Sequence, residues 1–248
     1  MALTFEKIEQ QAPALVNLSK KASFSLSKAG LEDVKARVAL VLDHSYSMSG
    51  EYANGSMQNL AERVLALATQ LDDNGEVEYF IFDNNADFLG EIELSNYAGA
   101  VDKLRRGHQF GGTDYSSGIN TVVDHYFGGG ARTGRLGKLF GKKSTDVDTA
   151  TPVFAIFLTD GATANESGAS QAIKDASNHP IFWKFLSIGS DSFRFLEQLD
   201  DMPGRRVDNA DYKPVGNLSN LKDAQLFDLL LDEYSTWITA AKAANILT

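Results

Sequence analysis

Three short polar stretches of this sequence carry side chains that could hold a divalent cation. In the first, DHSYS, the residues Asp43, Ser45 and Ser47 stand at alternate positions directly after the apolar residues 38–42. Alternate residues of an extended chain point to the same side, so one carboxylate and two hydroxyls can face a common point. Oxygen ligands suit hard cations such as Mg²⁺, but these three need contributions from other loops.

Two further stretches can supply the missing oxygens. The stretch GGTD presents Thr113 and Asp114 after two glycines, and FLTDG presents Asp160 at the end of an apolar run. Each stretch by itself is also a normal turn or helix cap, because Asp, Ser and Thr side chains commonly bond to nearby backbone. The metal-site interpretation therefore depends on whether the fold brings the three stretches together.

Four apolar runs predict the strands that would position these stretches. The runs end at Asp43, Asp83, Asp160 and Gly189. They are apolar nearly throughout, as expected for strands that are covered on both faces. A weaker, alternating run at residues 88–94 predicts an edge strand. Ligands of open α/β sheets bind outside the carboxyl ends of the strands, so the predicted sheet places polar residues where a ligand would bind.

The segments between the predicted strands have the apolar periodicity of helices. Apolar residues recur at three- and four-residue steps between Met57 and Leu71. Further helices are predicted at residues 97–105, 116–127, 170–177, 193–199 and 220–246. The alternation of strands and helices predicts one α/β domain with a mostly parallel sheet. The acidic runs at residues 83–87 and 208–211 are interpreted as turns and caps.

Two segments fall outside this alternation. Residues 1–30 are interpreted as a lead-in segment that forms a strand, an arm or a docking segment, and residues 31–248 as the domain itself. Within the domain, residues 128–150 are rich in Gly, Lys and Arg and predict an exposed, mobile insertion. Its GKLFGKKS run lacks the glycine spacing of a phosphate-binding loop.

The composition narrows the classes of function. The chain has 248 residues, of which 43% are hydrophobic, enough for one large core. It has no cysteine, which excludes disulfides and thiolate metal sites, and none of its four histidines forms a close pair suited to zinc. A formal net charge of -10 disfavours nucleic acid and anionic membranes as partners. No stretch resembles a signal peptide or a membrane span, so a cytoplasmic location is expected.

The stretches LVLDHSYSM, GGTDY and FLTDG, in this order, resemble the three loops of the von Willebrand factor A (vWA) domain. The later stretches FWKFLSIG, FLEQLDDMPGRRVDNADY and LFDLLLDEYSTWI resemble, more narrowly, the tellurium-resistance or bacterial stress-response branch of these domains. The resemblance implies a three-layer, Rossmann-like fold. Such a fold has a mostly parallel central sheet, one antiparallel edge strand and helices on both faces.

The resemblance also implies a metal-ion-dependent adhesion site (MIDAS). In such a site Ser45 and Ser47 would ligate the cation directly, Thr113 directly or through water, and Asp43 and Asp160 largely through waters. The expected ion is Mg²⁺, with Mn²⁺ or Ca²⁺ as alternatives, and an open coordination position would take a carboxylate from a protein partner. The rim that meets this partner is expected to consist of His44, Tyr46, Asp114 and Tyr115.

Two functional hypotheses follow. The first is a non-enzymatic, metal-dependent protein-interaction domain in a bacterial tellurium-resistance or stress-response assembly. The resemblance implies calcium-binding proteins of the same system as its partners. The alternative is a metal-assisted hydrolase or phosphotransfer enzyme that uses the same site. The first is favoured because Asp43 and Asp160 are both needed to hold the cation, which leaves no obvious base or nucleophile.

Overall fold

A central six-stranded sheet organises this protein, whose computed structural model describes residues 2–72, 74–128, 150–190 and 193–248. The strands are β1 (Arg37–Asp43), β2 (Glu76–Phe82), β3 (Ala86–Glu93), β4 (Val153–Thr159), β5 (Ile181–Ile188) and β6 (Ala210–Gly216). Their order in the sheet is β3-β2-β1-β4-β5-β6. Every neighbouring pair is parallel except β2 and β3. The predicted mostly parallel sheet with one antiparallel edge strand is therefore confirmed.

Helices cover both faces of the sheet. They are α1 (Phe5–Gln11), α2 (Val16–Lys28), α3 (Ser49–Ala53), α4 (Ser56–Leu71), α5 (Ala100–Leu104), α6 (Tyr115–Phe127), α7 (Glu166–Ala176), α8 (Arg194–Asp200), α9 (Asp223–Leu231) and α10 (Tyr234–Ala243). Alternate side chains of β1 enter two separate cores, Leu40 and Leu42 on one face and Ala39 and Val41 on the other. The first core includes α4, α9 and α10, and the second includes α6, α7 and α8. Both faces of the central strands are thus buried, which explains their uninterrupted apolar sequence.

The sixth strand corrects the interpretation of residues 208–211 as turns and caps. Asp211 lies in β6, is fully buried, and forms an ion pair with Lys184 of β5, which is also fully buried. Lys213 contributes a second ion pair at 3.0 Å from Asp211 Oδ1. A buried carboxylate requires such partners, and they make a charged sequence compatible with a strand.

The predicted long helix at residues 220–246 is wrong, because the structure has two helices there. The first ends at Leu231 and the second begins at Tyr234, and between them Glu233 adopts a left-handed backbone conformation with φ of 62°. Lys184 Nζ donates to the backbone oxygen of Asp232 at 2.8 Å. The buried ammonium thereby provides a hydrogen bond to a backbone carbonyl at the end of α9.

The lead-in segment is helical, so of the three alternatives for it the strand is wrong. Its helix α2 packs against α4 and α9, with Ala22 and Leu26 buried at helical spacing. Two exposed salt bridges tie α2 to α9, Lys21 with Asp223 at 2.7 Å and Lys28 with Asp228 at 2.6 Å.

The insertion predicted at residues 128–150 lies outside the described residues, apart from Gly128 and Ala150 at its two ends. Among the residues that the structure describes, no helix has both the length and the apolar composition needed to cross a bilayer.

Candidate metal centre

The first and third polar stretches follow two strands that are neighbours in the sheet. Strands β1 and β4 are parallel and in register, with Leu42 beside Leu158. Their carboxyl ends therefore lie together, and the predicted proximity of the strand ends at Asp43 and Asp160 is confirmed. After β1 the chain passes through Ser45 in an extended conformation and enters a short 3₁₀ turn at Tyr46–Met48.

The carboxylate of Asp43 is buried and held from several sides. One oxygen accepts from the backbone amide of Ser45 at 2.7 Å, and the other accepts from Thr159 Oγ1 at 2.6 Å. The phenol of Tyr52 donates to the backbone oxygen of Asp43 at 3.0 Å. Asp43 is 0% exposed, so its position is fixed by the fold. The sequence reasoning missed Thr159, although it is a polar residue at the end of an apolar strand.

A continuous row of side-chain oxygens connects the loops after β1 and β4. Ser45 Oγ lies 3.1 Å from Ser47 Oγ, and Ser47 Oγ donates to Asp160 Oδ1 at 2.8 Å. Together with the adjacent Asp43, these residues place two hydroxyls and two carboxylates at one edge of the sheet. Ser47 is exposed, so the row is open to solvent at that point.

The second polar stretch is held against the first by backbone hydrogen bonds. Tyr46 N donates to Gly111 O at 3.0 Å, and Gly111 N donates to His44 O at 3.1 Å. On its other side, the backbone oxygen of Thr113 accepts from Ala164 N at 2.9 Å. The loop that carries Thr113 therefore contacts both of the other loops, and the fold brings all three stretches together.

The two glycines before Thr113 permit a close approach to the loop after β2. A Cβ atom on Gly111 would lie 2.7 Å from Asp83 Oδ2 and 2.9 Å from Asp83 Cβ. One on Gly112 would lie 2.3 Å from Asn84 Oδ1. Asp83 also accepts the backbone amide of Asp114 at 2.9 Å through its carbonyl oxygen. Asp83 and Asn84 thus fix the position of the loop that carries Thr113, and the paired glycines were the sequence signal of this contact.

The electrostatics of the site favour a cation. The pKa of Asp43 is raised to about 6, mainly by burial and to a smaller extent by the nearby charge of Asp160, although hydrogen bonds from Thr159 and Ser45 oppose the shift. The donor set consists of oxygen atoms, which hard divalent ions prefer over the softer ligands of other metals. A divalent ion beside the two carboxylates would offset their mutual repulsion. The residues present therefore fit a hard divalent cation.

The structure corrects part of the expected rim. Tyr46 is 78% exposed, and Asp114 is half-buried and caps α6 by accepting from Ser116 N at 2.9 Å. His44 and Tyr115 are buried, at 0% and 1% exposure, so their assignment to the rim is wrong. His44 lies one residue from Asp43 and Ser45, and alternation along an extended chain turns its ring to the opposite side.

The sheet order and the three loops that meet at the ends of β1 and β4 define a vWA domain. The family model described as vWA-TerF-like, a vWA domain found in the TerF C terminus, matches residues 35–247. This chain belongs to the vWA-TerF-like family.

One relative matches more of this chain than the family model does. The uncharacterized protein YcbR of Bacillus subtilis (strain 168) is 33% identical over 239 residues, which cover 94% of this chain and 90% of YcbR. The mussel byssus protein PTMP1 (proximal thread matrix protein 1) shares the fold, with a TM-score of 0.54 and 15% identity, over 81% of this chain and 47% of PTMP1.

A second PTMP1 structure, described as having a zinc-occupied MIDAS motif, gives the same TM-score of 0.54 at 16% identity. This chain spans about half the length of these solved chains, at 47% and 48%.

Proposed function

We propose that this protein is a metal-ion-dependent protein-interaction domain. In this proposal Ser45 and Ser47 bind a divalent cation directly, Thr113 binds it directly or through water, and Asp43 and Asp160 hold it through waters. The observation that carries the proposal is the row of oxygens from Ser45 through Ser47 to Asp160, beside the buried carboxylate of Asp43. Mg²⁺ is the expected ion, because it prefers oxygen ligands and retains waters.

The ligand chemistry supports a carboxylate as the group that the partner supplies. Hydroxyl ligands are neutral, so an ion that binds them directly keeps much of its positive charge. That charge would attract an anionic oxygen to an open coordination position. Tyr46 is 78% exposed and lies between the two serine ligands, so its ring would contact the partner beside the shared ion.

The arrangement of the polar groups favours binding over catalysis. Both oxygens of the Asp43 carboxylate accept hydrogen bonds, one from Ser45 and one from Thr159. The ring of His44 is buried and directed away from the oxygen row, which removes the nearest candidate for a general base. We therefore propose that the protein is not an enzyme, in preference to a metal-assisted hydrolase or phosphotransfer enzyme.

The biological setting is part of the same proposal. Membership of the vWA-TerF-like family supports a role in a bacterial tellurium-resistance or stress-response assembly. We propose that this assembly is cytoplasmic. The partners we propose are calcium-binding proteins of that system that offer an exposed carboxylate.

A capture experiment with defined metal content tests this function. The immobilised protein is incubated with a candidate calcium-binding partner in Mg²⁺, in EDTA, and in EDTA followed by excess Mg²⁺. We expect capture in the first and third conditions and loss in the second. Ser47→Ala should abolish capture, while Ser95→Ala, which changes an exposed serine on another loop, should not. Equal capture in Mg²⁺ and EDTA would contradict the proposal.

A further inference from the structure

A cluster of aromatic rings lies directly behind the metal centre. The ring of His44 stacks on Phe110 with centroids 4.2 Å apart and an interplanar angle of 22°. Its edge contacts Tyr52, whose centroid lies 5.3 Å away. The guanidinium of Arg105 lies over the outer faces of this cluster, 4.7 Å from the Tyr52 centroid and 5.6 Å from that of Phe110. The cluster thus joins the loop after β1, helix α3 and the segment that leads into the loop of Thr113.

The cluster coincides with the backbone contacts that join the first two loops. His44 provides the carbonyl that accepts from Gly111 N at 3.1 Å, and Phe110 directly precedes Gly111. Tyr52 contacts the His44 ring and also donates to the Asp43 backbone oxygen at 3.0 Å. The ring contacts therefore fix the same two segments that carry the proposed ligands.

Neither nitrogen of the His44 ring forms a hydrogen bond of good geometry among the described residues, although the backbone of Gln109 interacts with the ring. It is 0% exposed. A buried ring whose nitrogens lack well-formed hydrogen bonds is held mainly by its stacking contacts, and these do not require an imidazole.

We infer that His44 is a positioning residue for the metal centre, whose ring, stacked on Phe110, holds the Thr113 loop against Ser45. The ring acts as a flat aromatic surface and is neither a metal ligand nor an acid or base. The metal readout of this inference rests on the proposed function, whereas the loop contact itself can be measured without any metal.

Three variants separate the stacking contact from the chemistry of the imidazole. His44→Phe keeps an aromatic ring, His44→Ala removes it, and His108→Ala serves as the matched control, since His108 is an exposed histidine near the same loop. Mn²⁺ affinity is measured by calorimetry. Hydrogen exchange of the Gly111 and Tyr46 amides is measured by NMR in metal-free protein.

We expect His44→Ala to weaken Mn²⁺ binding by about tenfold or more, as for other residues that orient metal ligands. It should also accelerate exchange of both amides by about tenfold, because their hydrogen bonds join the loops that the ring holds together. His44→Phe and His108→Ala should behave like the wild type in both measurements. Wild-type behaviour of His44→Ala would overturn the inference, as would a His44→Phe variant as impaired as His44→Ala.

The two readouts distinguish failure of the inference from failure of the proposed function. A wild-type protein that binds no Mn²⁺ would contradict the metal-dependent function, and amide exchange would still decide whether His44 positions the loop. If His44→Ala does not fold, the variant Phe110→Leu removes the other ring of the stacked pair. It should accelerate exchange of the Gly111 and Tyr46 amides, and unchanged exchange in that variant would overturn the inference.

Discussion

Two buried aspartates of the same sheet differ in what surrounds their charge. Asp211 and Asp43 are both 0% exposed, in strands β6 and β1. Asp211 is compensated by two lysines of the protein itself, Lys184 and Lys213. The carboxylate of Asp43 receives its described hydrogen bonds from neutral donors, Ser45 N and Thr159 Oγ1.

In the proposed function, this difference separates a structural charge at Asp211 from a charge at Asp43 that holds a cation. Lys184 pairs with Asp211 and also donates to the carbonyl at the end of α9, so the charge of Asp211 is compensated by side chains of this chain. Asp43 lies beside hydroxyls and a second carboxylate at an edge that is open at Ser47. A cation from solution can therefore supply at Asp43 the positive charge that the lysines supply at Asp211.

The largest expected effect is on the lysine-compensated aspartate. Lys184→Met should lower the free energy of unfolding by about 3 kcal/mol, because it removes one partner of a buried ion pair. Denaturant unfolding measures this loss. The double variant Lys184→Met/Asp211→Leu should recover much of it, since no buried charge then lacks a partner. A single variant as stable as the wild type would contradict the structural role of Lys184.

A smaller effect is expected from a change in the loop that carries Thr113. In Gly111→Ala, the new Cβ would lie within 3 Å of the Asp83 side chain and push the Thr113 loop away from it. We expect Mn²⁺ affinity to fall by about tenfold while the protein stays folded. Gly50→Ala is the control, because a Cβ there meets nothing within 4 Å. Unchanged affinity in Gly111→Ala would show that the loop position does not matter for binding.

The smallest effect concerns the surplus of acidic residues around Asp211. Burial, followed by the charges of Asp211 and Glu233, raises the pKa of Asp200 to about 6. The folded state therefore holds this proton more tightly than the unfolded state, and stability should fall as pH rises from about 4 to 6. In unfolding experiments across this pH range, Asp200→Asn should reduce the loss of stability. Asp201→Asn, which changes an exposed neighbour, should not. An unchanged pH profile in Asp200→Asn would contradict the burial of its charge.

The central strands could be predicted from sequence because burial on both faces leaves an uninterrupted apolar signal. The proximity of Asp43 and Asp160 could be predicted from the ends of β1 and β4, since parallel strands present their carboxyl ends at one edge of the sheet. The amphipathic pattern of α4 was equally direct, with Met57 to Leu71 on a helical period.

The features that sequence reasoning missed depend on contacts between distant residues. Strand β6 looked like a turn because Asp211 is charged, and its partner Lys184 is 27 residues away. The same lysine donates to the Asp232 carbonyl at the end of α9, at a point where the apolar pattern continues. His44 was placed on the rim because local spacing does not reveal that Phe110 stacks on its ring.

The most direct test of the metal centre is a calorimetric titration of wild type and Asp43→Asn with Mg²⁺ and Mn²⁺. Asparagine keeps the size of the buried side chain and removes its charge, and Asp201→Asn makes the same change at an exposed site. We predict that the wild type and Asp201→Asn bind both ions, and that Asp43→Asn binds them about 100-fold more weakly while remaining folded. Equal affinities in all three proteins would contradict the account, because Asp43 would then only stabilise a turn.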